Sequence, residues 1–207
     1  MSKGSGIGAK MAGGNPANGR QANEFYPTPT DVTEALILAE GARIPQRVWE
    51  PACGTGSMSE VLKNFSFDVE SSDFVNHGYG VSGVDFLHKG TVNPFGKAKY
   101  GIITNPPFAL SARFVEAAHR HEAIYCAYVL KSTWFHAWKS RGMLWERHRP
   151  ARIYALGWRP DFLGQGAPTM EVMWCVWEPG KSATQTTYDI LPPLDKKTLD
   201  RRPRKAL

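Results

Sequence analysis

Residues Asn105-Pro106-Pro107-Phe108 combine a side-chain amide, tertiary-amide carbonyls and an aromatic ring. That set suits one kind of chemistry. An exocyclic amine on a nucleobase is a poor nucleophile because its lone pair is delocalised into the ring. The Asn105 side-chain oxygen and the Pro106 carbonyl could accept both amine hydrogens. The nitrogen is then drawn toward tetrahedral geometry and its lone pair is freed for attack. Phe108 could stack on the base and hold it in line. The plain alternative is an ordinary Asn-Pro turn.

The elements around this loop must hold it at a ligand. Ile102 and Ile103 read as the end of a buried strand. Pro106 and Pro107 donate no backbone N–H and stop the ladder, and a proline after Asn105 keeps that residue extended. A stiff loop is therefore expected at a strand's carboxyl end, where open α/β sheets bind ligands.

A second loop, Glu50-Pro51-Ala52-Cys53-Gly54-Thr55-Gly56, falls between a strand at 47–50 and a helix at 57–64. Its glycines permit a sharp turn and close approach to a ligand. The spacing departs from the dinucleotide fingerprint, with Ser59 where a third glycine would stand. A second strand over 68–72 ends at Asp73, 23 residues after Glu50, where a carboxylate can accept both hydroxyls of a ribose. Asp85-Phe86, at a third strand end or loop, could read an adenine amine and cover its ring. Each acid alone reads as a solvated strand-end carboxylate. Together, and with no Lys-Ser/Thr phosphate loop, they suit a nucleoside with a positively charged tail better than a pyrophosphate.

The remaining pattern supplies the frame. Asp31 or Thr30 should cap a helix over 32–40 that Gly41 ends. Further helices are predicted over 111–121 and 135–147, and strands over 123–131, 151–158 and 170–178. The last two can form a hairpin with a long connection. Strand–helix alternation predicts an α/β fold, a mostly parallel sheet with helices on both faces and a terminal antiparallel hairpin. The 207 residues suit a single domain over 24–180, between a flexible arm at 1–23 and a loosely held basic tail at 181–207. No apolar run is long enough for a membrane span or a signal peptide. Cys53, Cys126 and Cys175 read as reduced thiols of a cytoplasmic protein without a structural metal.

Charge is unevenly spread. The net +6 divides into +3 for residues 1–23, +4 for 181–207 and −1 between them. Within that middle part, residues 131–159 carry a local +6. There Lys131, Lys139, Arg141, Arg147, Arg149, Arg152 and Arg159 alternate with Trp134, Phe135, Trp138, Trp145, Tyr154 and Trp158. Basic residues track phosphates and aromatics can stack on bases, although most of these rings fit a core as well. Residues 131–170 are the expected nucleic-acid-contacting segment.

The ordered set of Phe25-Tyr26-Pro27-Thr28-Pro29, Glu50 through Gly56, Asp73, Asp85-Phe86 and Asn105 through Phe108 resembles the amino-group DNA methyltransferases. It is most similar to small adenine-N6 enzymes of phage or prophage type, over about residues 25–178. The resemblance implies S-adenosylmethionine as cofactor and a Rossmann-like class I methyltransferase fold. It implies that Tyr26 and Thr28 lie over the methionine end of the cofactor, with Glu50, Ala52 and Gly54, in the loop that Gly56 closes, along its methionine and sulfonium region. Asp73 would hold the ribose, Asp85 and Phe86 the adenine. Asn105, Pro106, Pro107 and Phe108 would handle a target adenine flipped from duplex DNA, with Phe162 as a second aromatic against it. Asn rather than Ser at the first motif position leans toward adenine over cytosine. The chain has no room for the sizeable target-recognition region of such enzymes, so specificity should be weak or short. An RNA methyltransferase (guanine-N2 or adenine-N6), a protein glutamine methyltransferase and a non-catalytic nucleic-acid-binding module are the competing readings. The sequence sets no oligomeric state.

Overall fold

The computed structural model describes residues 26–136, 138–166, 168–181 and 183–195, with the backbone alone at 138–141. The expected arm at 1–23 and the end of the tail from 196 lie outside the described residues.

Alternating apolar strands and amphipathic helices produce one eight-stranded sheet. Its strands are β1 (Arg47–Glu50), β2 (Asp68–Asp73), β3 (Val81–Ser82), β4 (Gly101–Thr104), β5 (Tyr125–Lys131), β6 (Arg152–Leu156), β7 (Val172–Trp177) and β8 (Thr187–Leu191). They lie in the order β3-β2-β1-β4-β5-β7-β6-β8. Neighbours are parallel except at β7, which is antiparallel to both β5 and β6. The predicted doubly wound sheet with its antiparallel hairpin is what forms. β4 is buried at every position and β5 at all but Lys131, as expected for strands covered on both faces.

The helices are α1 (Thr30–Glu40), α2 (Ser57–Asn64), α3 (Ser111–Arg120) and α4 (Trp138–Arg147). The period-two alternation of the strands sorts their side chains between two apolar layers. Ile103, Ala127 and Val129 face a layer with Val32 and Leu36 of α1 and Met58 and Leu62 of α2. Ile102, Cys126, Tyr128 and Leu130 face the other, with Phe114 and Val115 of α3 and Leu144 of α4. At a mean of about 1.5–3 kcal/mol per fully buried large apolar side chain, these layers supply the main drive to fold.

Four details differ from the sequence expectation. Thr30 is already helical and Pro29 occupies the cap position of α1, with no side-chain cap hydrogen bond from Thr30 or Asp31. The predicted helix over 135–147 is divided: a 3-10 turn at Trp134–His136 precedes α4. Thr187–Leu191, expected in a loose tail, forms β8 and pairs in parallel with β6. Finally, Arg152 does not face solvent. Its guanidinium grips the buried Glu40 at the end of α1 through Nε at 2.7 Å and Nη2 at 2.9 Å. It also meets Glu178 at 2.9 Å, and the Tyr154 hydroxyl donates to Glu40 at 2.5 Å.

Candidate active site

The end of β4 delivers Asn105 to the carboxyl edge of the sheet. Its Nδ2 donates to the Tyr26 carbonyl and to the Thr28 hydroxyl, both at 3.2 Å. Both donors of the amide are thereby engaged, which fixes the amide plane and assigns Oδ1 as its acceptor end. Beyond the prolines a 3-10 turn, Phe108–Leu110, leads into α3. The Ser111 hydroxyl pins it by donating to the Phe108 carbonyl at 2.9 Å. The half-buried Phe108 ring lies 6.4 Å from Tyr26 at an interplanar angle of 30°, and Lys131 Nζ sits 4.7 Å from its centroid.

Beside this loop lies a cavity of about 480 Å³. Its wall includes Tyr26, Thr28, Glu50, Ala52, Gly54, Asp73, Asp85, Phe86, Asn105 and Pro107, drawn from the strand ends that the sequence singled out. Gly54 turns in the left-handed region (φ 53°), and its N–H donates to Asp73 Oδ2 at 2.9 Å while Val75 N–H donates to Oδ1 at the same distance. Asp73 is thus aimed by two backbone donors, with lone pairs left over for a ligand. Asp85 Oδ1 accepts from Leu87 N–H at 2.9 Å in a tight turn.

Glu50 is 2% exposed and receives the Ser59 hydroxyl, which also meets Ser71 Oγ at 2.6 Å. Burial pushes its carboxyl up to about 8, the Asp73 charge adds to the rise, and the Ser59 bonds and Lys63 oppose it. Ser59, the residue in place of a third glycine, is therefore the support of Glu50. Cys53, pushed up to about 12 by burial first and then by Glu50 and Asp73, stays a protonated thiol. Three carboxyl groups (Glu50, Asp73, Asp85) and one guanidinium (Arg113) line the cavity, so its wall is rich in acceptors for hydroxyl, amine or cationic groups.

Not every expected residue joins the cavity. Gly56, at φ 85°, lies under the Tyr79 ring instead. Phe86 contributes to the wall, yet its ring is buried in a stack with His121 at 4.9 Å and edge-on to Trp49. Phe108 and Pro106 are not among the residues that line the cavity, and the Phe108 ring packs on Tyr26, which does line it. Phe162, 7% exposed, is edge-on to Tyr26 at 6.5 Å and part of the core. Of the basic segment, Arg152 is consumed by Glu40 and Glu178, and the exposed Arg159 pairs with Glu171 at 2.5 Å. Arg147 and Arg149 are exposed, while the side chains of Lys139 and Arg141 lie outside the described residues. Sequence reasoning missed Phe74, His77 and Arg113 in the cavity wall. The adjacency of Phe74 to Asp73 could have flagged it; nothing local marks Arg113.

No protein-family model and no curated protein sequence matches the chain. Solved structures do match. One, described as a class I S-adenosylmethionine-dependent methyltransferase from Listeria monocytogenes, superposes with a TM-score of 0.57 at 14% identity, over 85% of this chain and 68% of the other. Another, described as an RNA methyltransferase from Pyrococcus horikoshii, gives 0.56 at 14% identity, over 75% and 87%. A third, described as a modification subunit of a type I restriction enzyme from Vibrio vulnificus, gives 0.53 at 14% identity, over 85% of this chain and 51% of that one. The chain has the Rossmann-like class I methyltransferase fold.

Proposed function

We propose that the chain transfers a methyl group from S-adenosylmethionine to the N6 amine of adenine in DNA, with weak or short sequence specificity. Asn105 is the observation that carries this reading. A turn-forming asparagine spends its side chain on its own loop, whereas this one is held by Tyr26 and Thr28 from a segment 79 and 77 residues away. Asn105 also lines the carboxylate-rich cavity, so the same restraint would hold Oδ1 toward a substrate there.

The bound cofactor supplies an electrophilic methyl group. Asp73 would hold its ribose, Asp85 its adenine amine, and Glu50 with Ala52 and Gly54 its cationic end. On the substrate side, Asn105 Oδ1 and the Pro106 carbonyl accept the two amine hydrogens. Transfer of the methyl group to the nitrogen lone pair would break its bond to the sulfonium sulfur and leave a neutral thioether, and the cationic alkylated amine would then release its proton to solvent. No general base is needed at the outset, so the contribution of the chain is positioning and hydrogen bonding to the rehybridising nitrogen. Phe108 stacks on the extruded base, whose unstacking costs about a few kcal/mol. Lys131 beside that ring and the exposed Arg147 and Arg149 support a polyanionic substrate.

Mass spectrometry of nucleosides from DNA and RNA of cells expressing the chain tests the reading. N6-methyladenine should accumulate in DNA with the wild type and not with Asn105→Ala. In single turnover, the variant should be slower by about 10²–10³. Methylation confined to RNA or to cytosine would overturn the substrate assignment, and equal rates for the two proteins would overturn the role of the loop.

A further inference from the structure

We infer that Tyr79, which lies outside the cavity, is the positioning residue that holds the cavity closed on its cofactor side; the inference rests on the cofactor reading above. The segment at issue is the loop over 74–80 between β2 and β3. Its ends are fixed side by side, since Ser72 pairs with Val81 in the sheet and Val84 N–H donates to the Asp73 carbonyl at 3.1 Å. Phe74, Val75 and His77 of the loop line the cavity, and Phe74 is 68% exposed there. The loop is therefore one wall of the site. Cys53–Thr55 of the glycine loop form the adjoining wall, since Gly54 N–H donates to Asp73.

Tyr79 joins these two walls. Its ring lies flat on Gly56, where a Cβ would come within 2.5 Å of the ring. Its hydroxyl donates to Glu60 Oε1 at 2.5 Å and accepts from Lys63 Nζ at 2.7 Å, one turn apart on α2. The ammonium also lies 5.1 Å from the ring centroid. On the backbone side, the Cys53 thiol donates to the Tyr79 carbonyl at 3.7 Å. Next to it, Gly80 (φ 65°) is seated so closely that a Cβ would meet the Ser71 carbonyl at 2.6 Å and Cys53 Sγ at 2.9 Å. Two glycines thus leave the space into which the loop is pressed, and a tyrosine supplies the tie to α2. Phe74, an exposed apolar ring on the held loop, lines the cavity, where an occupant would cover it. Tyr79 touches no reacting atom. It acts through Phe74–His77 on one side and through Gly54–Gly56 on the other.

The test uses the full chain and titration calorimetry with S-adenosylmethionine and S-adenosylhomocysteine, combined with hydrogen exchange. Tyr79→Ala should weaken both ligands by about tenfold, the loss expected of hydrogen bonds to charged partners. Amides at 74–80 should exchange faster in that variant while the sheet is unchanged, and ligand should protect them in the wild type. Tyr79→Phe keeps the ring on Gly56 and should lose only about threefold, as should Lys63→Met, in line with exposed polar pairs. Those two variants carry the test if Tyr79→Ala does not fold. Wild-type affinity in Tyr79→Ala, or exchange that rises evenly over the whole chain, would overturn the inference. A wild type that binds neither ligand would instead overturn the cofactor reading on which it rests.

Discussion

Asn105 depends on a hydroxyl that takes no part in the chemistry. Thr28→Val removes one of its two acceptors, so the amide can rotate and present Nδ2 where Oδ1 is needed. Turnover should fall about tenfold, as for loss of one neutral hydrogen bond, and by more than cofactor affinity does. Stopped-flow methylation and calorimetry on the same samples check the split. Glu50 makes a second prediction at this scale. Its folded value, raised from 4.5 to about 8, means that the neutral carboxyl predominates at pH 7 in the ligand-free protein. The sign follows: its contribution to stability is complete below 4.5 and is lost as the pH rises through 8. A cationic ligand reverses the preference, because it favours the carboxylate that Asp73 and burial disfavour. Cofactor binding should therefore release a proton, and affinity should climb by up to about tenfold per pH unit between 6 and 8. Calorimetry in two buffers of different ionisation enthalpy reads the proton directly, and Glu50→Gln should abolish it. The residue types at these positions were legible in the sequence. Their restraint was not, because Asn105 and Tyr26 are joined across 79 residues and Glu50 is supported by a serine that replaces a familiar glycine.

Elements were legible where their own side chains decide them. β4 and β5 are continuous apolar runs, and α2 starts and stops where Gly56 and Asn64 put it. β8 shows the opposite case. Four of its five residues are exposed, so no alternation betrays it, and its existence depends on the backbone ladder offered by β6. Arg152 was misread for a related reason: a basic residue in a basic stretch looks solvated until α1, 112 residues away, brings Glu40 against it. The Glu40 side chain has 0% exposure and Arg152 15%, so this pair is governed by desolvation. Removing one partner strands a buried charge. Arg152→Ala should destabilise the fold by about 3–5 kcal/mol, whereas the paired change Arg152→Met with Glu40→Met should recover most of that loss. Urea unfolding of the wild type and the two variants decides it.

For the molecule as a whole, the carboxyl edge of the sheet gathers the cavity, the Asn105 loop and Lys131 on one side. The net positive segment that the sequence marked is thinner in three dimensions, since Arg152 and Arg159 have carboxylate partners. Affinity for DNA should accordingly rest on few phosphates. Lys131→Gln should weaken binding alike on all sequences and lower the slope of log affinity against log salt by about 1. Fluorescence anisotropy on duplexes at several salt concentrations measures it; an unchanged slope would remove Lys131 from the interface.

The position of β7 has a consequence for how the chain assembles during synthesis. Val172–Trp177 lies between β5 and β6 in space but follows both in the chain. When β6 emerges, its place in the sheet is still vacant, and β5 presents an open edge of buried-type residues, Tyr125 through Leu130. Such an edge invites pairing with another nascent chain. One late strand closes two ladders at once, and until it arrives the loop carrying Asn105 hangs from a sheet that is finished on one flank only. A ribosome stalled before residue 172 would leave a half-built sheet with its most adhesive edge outward. The wild-type chain passes through that state in every round of its own translation.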